Sequence, residues 1–139
     1  MKRMVIAVLA ALLLVPITLG LTLTLAGETG EVVVVTPEIG ETTATRLWVV
    51  EHAGNLWLRA GHEQASWYAA VTMAPAIVVE RDGVPARYRA TPDPSRRTTI
   101  NALMADKYGL AETIIGGLVG GRGHAIPIRL EPLPDRVPQ

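Results

Sequence analysis

The sequence predicts a small, mainly β domain with some α structure (α+β), carried behind an apolar N-terminal segment. Three observations predict it. Short runs rich in Val, Ile, Trp and Tyr alternate with Gly, Pro and Asp turn signals, which is strand-and-hairpin patterning. Two later stretches change to helical period. And Met1-Lys2-Arg3 is followed by an uncharged, largely apolar run from Met4 to Ala26. At 139 residues the chain has room for one domain and an appendage. The division expected is 1–27 for a membrane anchor or signal segment, 28–132 for the domain and 133–139 for a Pro-rich flexible tail.

As a helix the apolar run reaches about 35 Å, enough for a hydrocarbon core of about 30 Å. Pro16 would kink it, which membrane helices tolerate. Lys2 and Arg3 precede the run, so the positive-inside rule puts the N-terminus in the cytoplasm. The expectation is a single-pass transmembrane helix with the domain on the extracytoplasmic side. The alternative is secretion after cleavage near Thr24-Leu25-Ala26, although the run exceeds the usual signal core of about 7–15 residues.

Beyond Arg3 the chain carries 11 basic and 13 acidic residues, a formal charge of −2, so it has none of the basic excess of a nucleic-acid binder. With no Cys there is no disulfide framework, thiolate nucleophile or Cys-ligated metal. His52, His62 and His124 are too widely spaced for a metal motif. No nucleophile–base–acid set or phosphate loop identifies catalytic residues.

Glu31 to Thr36 reads as a strand ended by Pro37. Thr45 to Val50 and Asn55 to Ala60 form a hairpin about the loop His52-Ala53-Gly54, with Trp48 and Trp57 near its turn. Glu63 to Met73 reads as a helix, with Trp67, Ala70, Val71 and Ala74 at helical spacing and Pro75 as its stop. Ala76 to Glu80 and Val84 to Ala90 form a second hairpin about Asp82-Gly83, a strong two-residue turn signal. Asp93-Pro94 starts a helix with Ile100, Leu103, Met104 and Tyr108 on one face and Gly109 as its C-cap. Leu110, Ile114, Ile115 and Leu118 suggest a second short helix that fades into Gly116-Gly117 and Gly120-Gly121. His124 to Leu130 closes the domain, with Pro127 restricting that strand to an edge or a bulge.

This order, together with Thr45-Arg46-Leu47-Trp48-Val49-Val50, Gly54-Asn55-Leu56-Trp57-Leu58-Arg59-Ala60-Gly61, Ser66-Trp67-Tyr68, Met73-Ala74-Pro75 and Val78-Val79-Glu80-Arg81-Asp82-Gly83, resembles the pyridoxamine-phosphate-oxidase-like superfamily. Within it the wording is similar to a membrane-anchored branch of deazaflavin-dependent nitroreductase-type proteins. The resemblance runs from Thr45 to about Pro132. It implies a split β-barrel of FMN-binding type, a homodimer whose barrels share two clefts, and FMN or a deazaflavin as cofactor. It also implies hydride or electron-pair transfer to a small electrophile such as a quinone or nitro compound.

By the same resemblance Arg46 grips the cofactor phosphate with Arg59, and His62 meets a ring carbonyl. Trp48, Trp67 and Tyr68 wall the ring system. Where further basic residues are implied the loop carries Glu63 and Gln64, and the usual basic turn before the hairpin is Ile39-Gly40-Glu41-Thr42-Thr43. A carboxylate repels a phosphate that a bidentate Arg would attract. Read from the residues alone, Arg46 and Arg59 are equally strand arginines in solvent or in ion pairs with Glu51 or Glu63, His62 is a loop histidine and Trp67 is core. A second functional reading is therefore a non-catalytic split-barrel module for haem, a lipid or another flat ligand.

The length of the apolar run makes a retained N-terminus the expected outcome. Intact-mass spectrometry of membrane-extracted protein should find Met1 or Lys2 as the first residue; a chain starting near Gly27 would mean cleavage.

Overall fold

The computed structural model describes residues 31–39, 43–118 and 120–135. The run Met4–Ala26 lies outside them, and no helix among the described residues is long and apolar enough to cross a membrane. The strands are β1 (Val32–Pro37), β2 (Thr45–Trp48), β3 (Val50–His52), β4 (Asn55–Ala60), β5 (Ala76–Arg81), β6 (Val84–Pro92) and β7 (Ile126–Pro132). The helices are α1 (Ser66–Met73) and α2 (Arg97–Leu118), the latter entered through a 3₁₀ turn at Pro94–Arg96.

All seven strands form one antiparallel sheet in the order β2-β1-β5-β6-β7-β4-β3. Its two edge strands, β2 and β3, are consecutive in the chain and separated by Val49 alone. A sheet whose opposite edges are joined by one residue has to curl on itself, and the result is a barrel. Thr45 to Val50 is accordingly not one strand of a hairpin, as the pattern suggested, but the crossing from one edge to the other. Trp48 belongs to β2 and leaves the hairpin to β3 and β4, where Trp57 pairs with Val50.

Both tight turns are of the two-residue type whose central positions need positive φ. Asp82-Gly83 has φ of 52° and 77°, as its sequence signal predicted, and Ala53-Gly54 has 51° and 77°. His52, expected in that second loop, instead pairs with Asn55.

Each strand alternates between the barrel interior and its outer face. Inside, Val33, Val35, Leu58, Ala60, Ile77, Val79, Ala90, Ile126, Ile128 and Leu130 form the core, joined by Val49 and, from α1, by Trp67 and Val71. Outside, Trp57 and Val50 pack with Ile100, Met104 and Tyr108 of α2, with Trp48 and Leu103 at the margin. β4 is buried from Trp57 to Ala60 because it is covered on both faces.

α1 starts at Ser66 rather than Glu63: Ala65, at its N-cap, makes no side-chain cap, and 62–65 form a turn closed by Ala65 N–H to His62 O. Asp93 caps the entry to α2 as expected, accepting from Ser95 N–H at 3.2 Å. Gly109, with φ 51° and ψ −122°, interrupts α2 with a conformation only glycine adopts readily. The limb before it buries Ile100, Met104 and Tyr108, as predicted. The limb after it is the second short helix. Ala111, Glu112 and Gly116 turn inward, and Leu110, Ile114 and Leu118 are exposed. Glu112, four residues after Tyr108, lies on the inward face and meets two arginines there.

β7 is not an edge strand, although Pro127 pointed to one; it lies between β6 and β4. A residue's N–H and C=O point to the same side of a strand, and Pro127 O accepts from Asp93 N–H at 2.8 Å. The missing donor therefore faces the point where β6 has ended, and the β4 ladder loses nothing. At the far end Leu133 N–H donates to Arg87 O at 2.9 Å and Pro134 O accepts from Arg87 at 2.7 Å, so the tail stays on β6 through these residues. Residues 136–139 lie outside the described part.

Val49 has no partner strand for its own peptide groups, and Tyr108 supplies one. Its hydroxyl accepts from Val49 N–H at 3.0 Å and lies 2.8 Å from Val49 O and 2.6 Å from Glu31 O. The β1–β2 register would place Glu31 opposite Val49 next, so the phenol stands where that backbone pair would have formed. Lys107 Nζ covers Val49 O at 2.8 Å. Burial raises the Tyr108 phenol above its ordinary pKa and keeps it neutral, as a combined donor and acceptor must be.

Tyr108→Phe keeps the ring but strands the buried Val49 N–H. A loss of about 1–3 kcal/mol is expected, measured as a lower urea midpoint at unchanged slope.

Candidate functional site

The outer faces of β2 and β4 and the inner side of α2 enclose an open cleft of about 210 Å³. It is lined by Val32, Arg46, Leu47, Trp48, Arg59, Met104, Ile115 and Arg122. Period-2 alternation puts Arg46 and Trp48 on the outer face of β2, and Arg59 on that of β4 beside buried Trp57. α2 closes the cleft from above with Met104 of its first limb and Ile115 of its second.

The Trp48 and Tyr108 rings stack at 4.5 Å between centroids with 9° between planes, an apolar wall held by the closure residue itself. Trp48 Nε1 is buried with no hydrogen-bond partner among the described residues.

One ion cluster organises the polar side. Arg59 Nη2 donates to Glu112 Oε2 at 2.7 Å and Arg59 Nη1 to Asn101 Oδ1 at 3.1 Å. Arg122 grips both oxygens of Glu112, each at 3.0 Å, while Asn101 Nδ2 donates to Arg122 O at 3.1 Å. Four segments (β4, both limbs of α2 and the loop after it) are thereby tied together. The Arg59 and Glu112 side chains are only 5% and 7% exposed. Burial pushes the Glu112 carboxyl up, but the hydrogen bonds and charges of Arg59 and Arg122 outweigh it and hold the group below the ordinary range. Burial lowers Arg59 from its usual value, with Arg122 adding to that effect and Glu112 opposing it.

The loop is shaped for this clamp. Gly121 N–H bonds Gly116 O at 2.7 Å, with Gly120 at φ 77°, which turns the chain back after α2. Arg122 Nε then lies 3.5 Å from where a Cβ on Gly116 would be.

Of the six residues singled out from sequence, the structure brings Arg46, Trp48 and Arg59 into this one cleft. His62 lies elsewhere, in a separate polar cleft with Glu63, Gln64, Arg97 and His124. Trp67 is barrel core. Tyr68 packs half-buried against that core, edge-on to Trp67 at 6.4 Å. Arg59 pairs with Glu112 rather than with Glu51 or Glu63; Glu51 is bound by Arg81. Of the turn before β2, only Ile39 and Thr43 belong to the described residues.

Glu112, Asn101, Met104 and Arg122 were not among the site residues singled out from sequence. One signal was available: Glu112 is the single charge in the thirteen residues from Gly109 to Gly121. A lone charge in an apolar stretch needs a buried partner.

Solved structures share this architecture. A candidate pyridoxamine 5′-phosphate oxidase from Listeria innocua superposes with a TM-score of 0.54 at 15% identity, over 80% of this chain and 90% of that one. The fold is that of the pyridoxamine-phosphate-oxidase-like split β-barrels. HutZ, the heme storage protein from Vibrio cholerae, matches this split barrel with a TM-score of 0.54 at 14% identity, over 80% of this chain and 87% of that one. An FAD-binding protein from Mesorhizobium loti matches with a TM-score of 0.55 at 11% identity, over 82% and 89%. At these identities the likeness is one of fold. No protein-family model matches the sequence, and neither does any curated protein.

Glu112 has a depressed folded-state pKa, so its stabilisation is complete above the unfolded value of about 4.3 and is lost as pH falls through the folded value. The split barrel should lose stability on acidification below about pH 4.3. Glu112→Gln should abolish this component and, by leaving two arginines beside a neutral amide, cost about 3–5 kcal/mol at pH 7. Urea denaturation of both proteins across pH 3–7 measures the two effects.

Proposed function

We propose that the cleft between β2, β4 and α2 binds a flat, anionic cofactor of the FMN or deazaflavin class, and that the chain is an oxidoreductase of nitroreductase or quinone-reductase type. One observation carries the reading: an apolar and aromatic wall of Val32, Trp48, Met104 and Ile115 shares a cleft with Arg46, Arg59 and Arg122. Such a wall suits a ring system, and guanidinium groups suit a phosphate. When bound, the cofactor supplies hydride or electron-pair chemistry toward a small electrophile; the protein's part is to hold and polarise it. Trp48, backed by Tyr108, offers the stacking face. Arg46, exposed at the cleft, is the phosphate contact. Arg59 and Arg122 are oriented by Glu112 and set the positive side of the site.

Ligand sites for molecules of this size measure about 300–1,000 Å³, and the cleft within one chain is smaller, about 210 Å³. Completion by a second copy in a homodimer accounts for the difference. Attachment through the N-terminal segment, with the domain outside, would suit a lipid-soluble quinone.

A non-catalytic module for haem, a lipid or another flat ligand is the second reading. The Glu112 clamp favours it: with two arginines engaged by an internal carboxylate, the cleft has less attraction for a dianionic phosphate.

Titration of FMN, a deazaflavin and haem into the protein, followed by absorbance and fluorescence, separates the readings. Arg46→Ala should weaken FMN or deazaflavin binding about ten- to a hundred-fold, with an unchanged thermal melt. Haem binding with neither flavin bound below millimolar concentration would replace the oxidoreductase by the module. Light scattering of 28–139 in the same samples should give twice the monomer mass; a monomer would remove the shared cleft.

A further inference from the structure

The limb of α2 after Gly109 presents an uncharged surface to solvent. Leu110, Ile114 and Leu118 follow one another at four-residue spacing, so they form one stripe along the helix. Leu110 is 81% exposed and Leu118 54%. Thr113 and Gly117, also exposed, complete that face. The only charge between Gly109 and Gly121, Glu112, points the other way into its arginine clamp. A helix of a soluble domain ordinarily turns its polar side outward, and this limb does the reverse.

The stripe begins beside the point where the N-terminal segment enters the fold. Glu31 O accepts from the Tyr108 hydroxyl at 2.6 Å, and the Glu31 carboxylate is ion-paired with Lys107 at 2.5 Å. Leu110 follows two residues later. Ala26, the last residue of the apolar run, is five residues before Glu31, and an extended chain of that length spans at most about 18 Å. The end of the run is therefore within about 18 Å of Glu31, the residue that Tyr108 and Lys107 hold.

We infer that the Leu110–Ile114–Leu118 face lies in the surface of the lipid bilayer that holds Met4–Ala26, as a second, interfacial contact beside the anchor. The inference rests on the anchored reading of that run. Interfacial helices bury their apolar side about 5–10 Å deep, at the headgroup–acyl boundary. The nine residues of the limb make a strip about 14 Å long and about 10 Å wide. The same strip, ~140 Å², is far below the roughly 800 Å² per partner of a stable protein interface, so it does not by itself make a dimer.

The chain has no Cys, so an introduced one is a unique labelling site. The full chain, in phosphatidylcholine–phosphatidylglycerol vesicles, carries a bimane label on Leu110→Cys, Ile114→Cys or Leu118→Cys. Leu13→Cys reports on the run itself. Met73→Cys is the solvent control: it is 85% exposed, where α1 leads into β5 beside the Pro37 end of β1, a strand's length from Glu31. With nitroxide-bearing lipid, the three α2 labels and Leu13→Cys should lose fluorescence by about twofold or more while Met73→Cys is unchanged. If Leu13→Cys is quenched and the α2 labels behave like Met73→Cys, the anchor stands and this inference falls. If Leu13→Cys is not quenched, the anchored reading fails and the inference with it. If the α2 labels are shielded from aqueous iodide yet unquenched by lipid nitroxide, protein covers the face, and the inference is overturned in favour of a second copy or the N-terminal segment.

Discussion

Everything in this fold depends on the passage of the chain through Val49. The residues on either side of it pair with strands at opposite edges of the sheet, so the barrel closes at one peptide unit. That unit is buried and lies outside both ladders, and an unpaired buried peptide group is costly. Tyr108 and Lys107 remove the cost from outside the barrel, which binds α2 to the closure. The helix is thus part of the barrel's hydrogen bonding, beyond its apolar packing against Trp57 and Val50.

The cleft inherits its rigidity from the same place. Trp48, one residue before the crossing, stacks on the ring whose hydroxyl holds the crossing together. On the other side the Arg59–Glu112–Arg122 cluster fixes the second limb of α2 and the following loop over β4. Buried ion pairs of this kind contribute less to stability than to position, since desolvation offsets most of their attraction. Here the position fixed is that of two guanidinium groups at the edge of an apolar wall, with Arg46 on the neighbouring strand.

Gly109 divides α2 into two limbs: the first closes the barrel with Ile100, Met104 and Tyr108, and the second sends Glu112 inward and leaves Leu110, Ile114 and Leu118 outside. The split-barrel architecture is shared with proteins described as heme-storing and FAD-binding.

The Asp82-Gly83 hairpin, the Asp93 cap, the β1 strand and the face of Ile100, Met104 and Tyr108 were legible in the sequence because each is set by neighbours a few residues away. Turn chemistry, capping and periodicity are local. Arg46, Trp48 and Arg59 were marked as candidates by the family resemblance, not by a local rule. The break at Val49 could not be foreseen, because Thr45–Val50 reads as one unbroken strand until distant β1 and β4 claim its two halves. Nor could the partners of Glu112, whose carboxylate meets guanidinium groups 53 residues before it and 10 after it. Pro127 in an interior strand depends on where β6 happens to end. Local pattern determined the elements and which faces they would bury; tertiary structure decided the closure, the pairing of charges and the face of α2 left outside, because those depend on contacts between residues far apart in the chain.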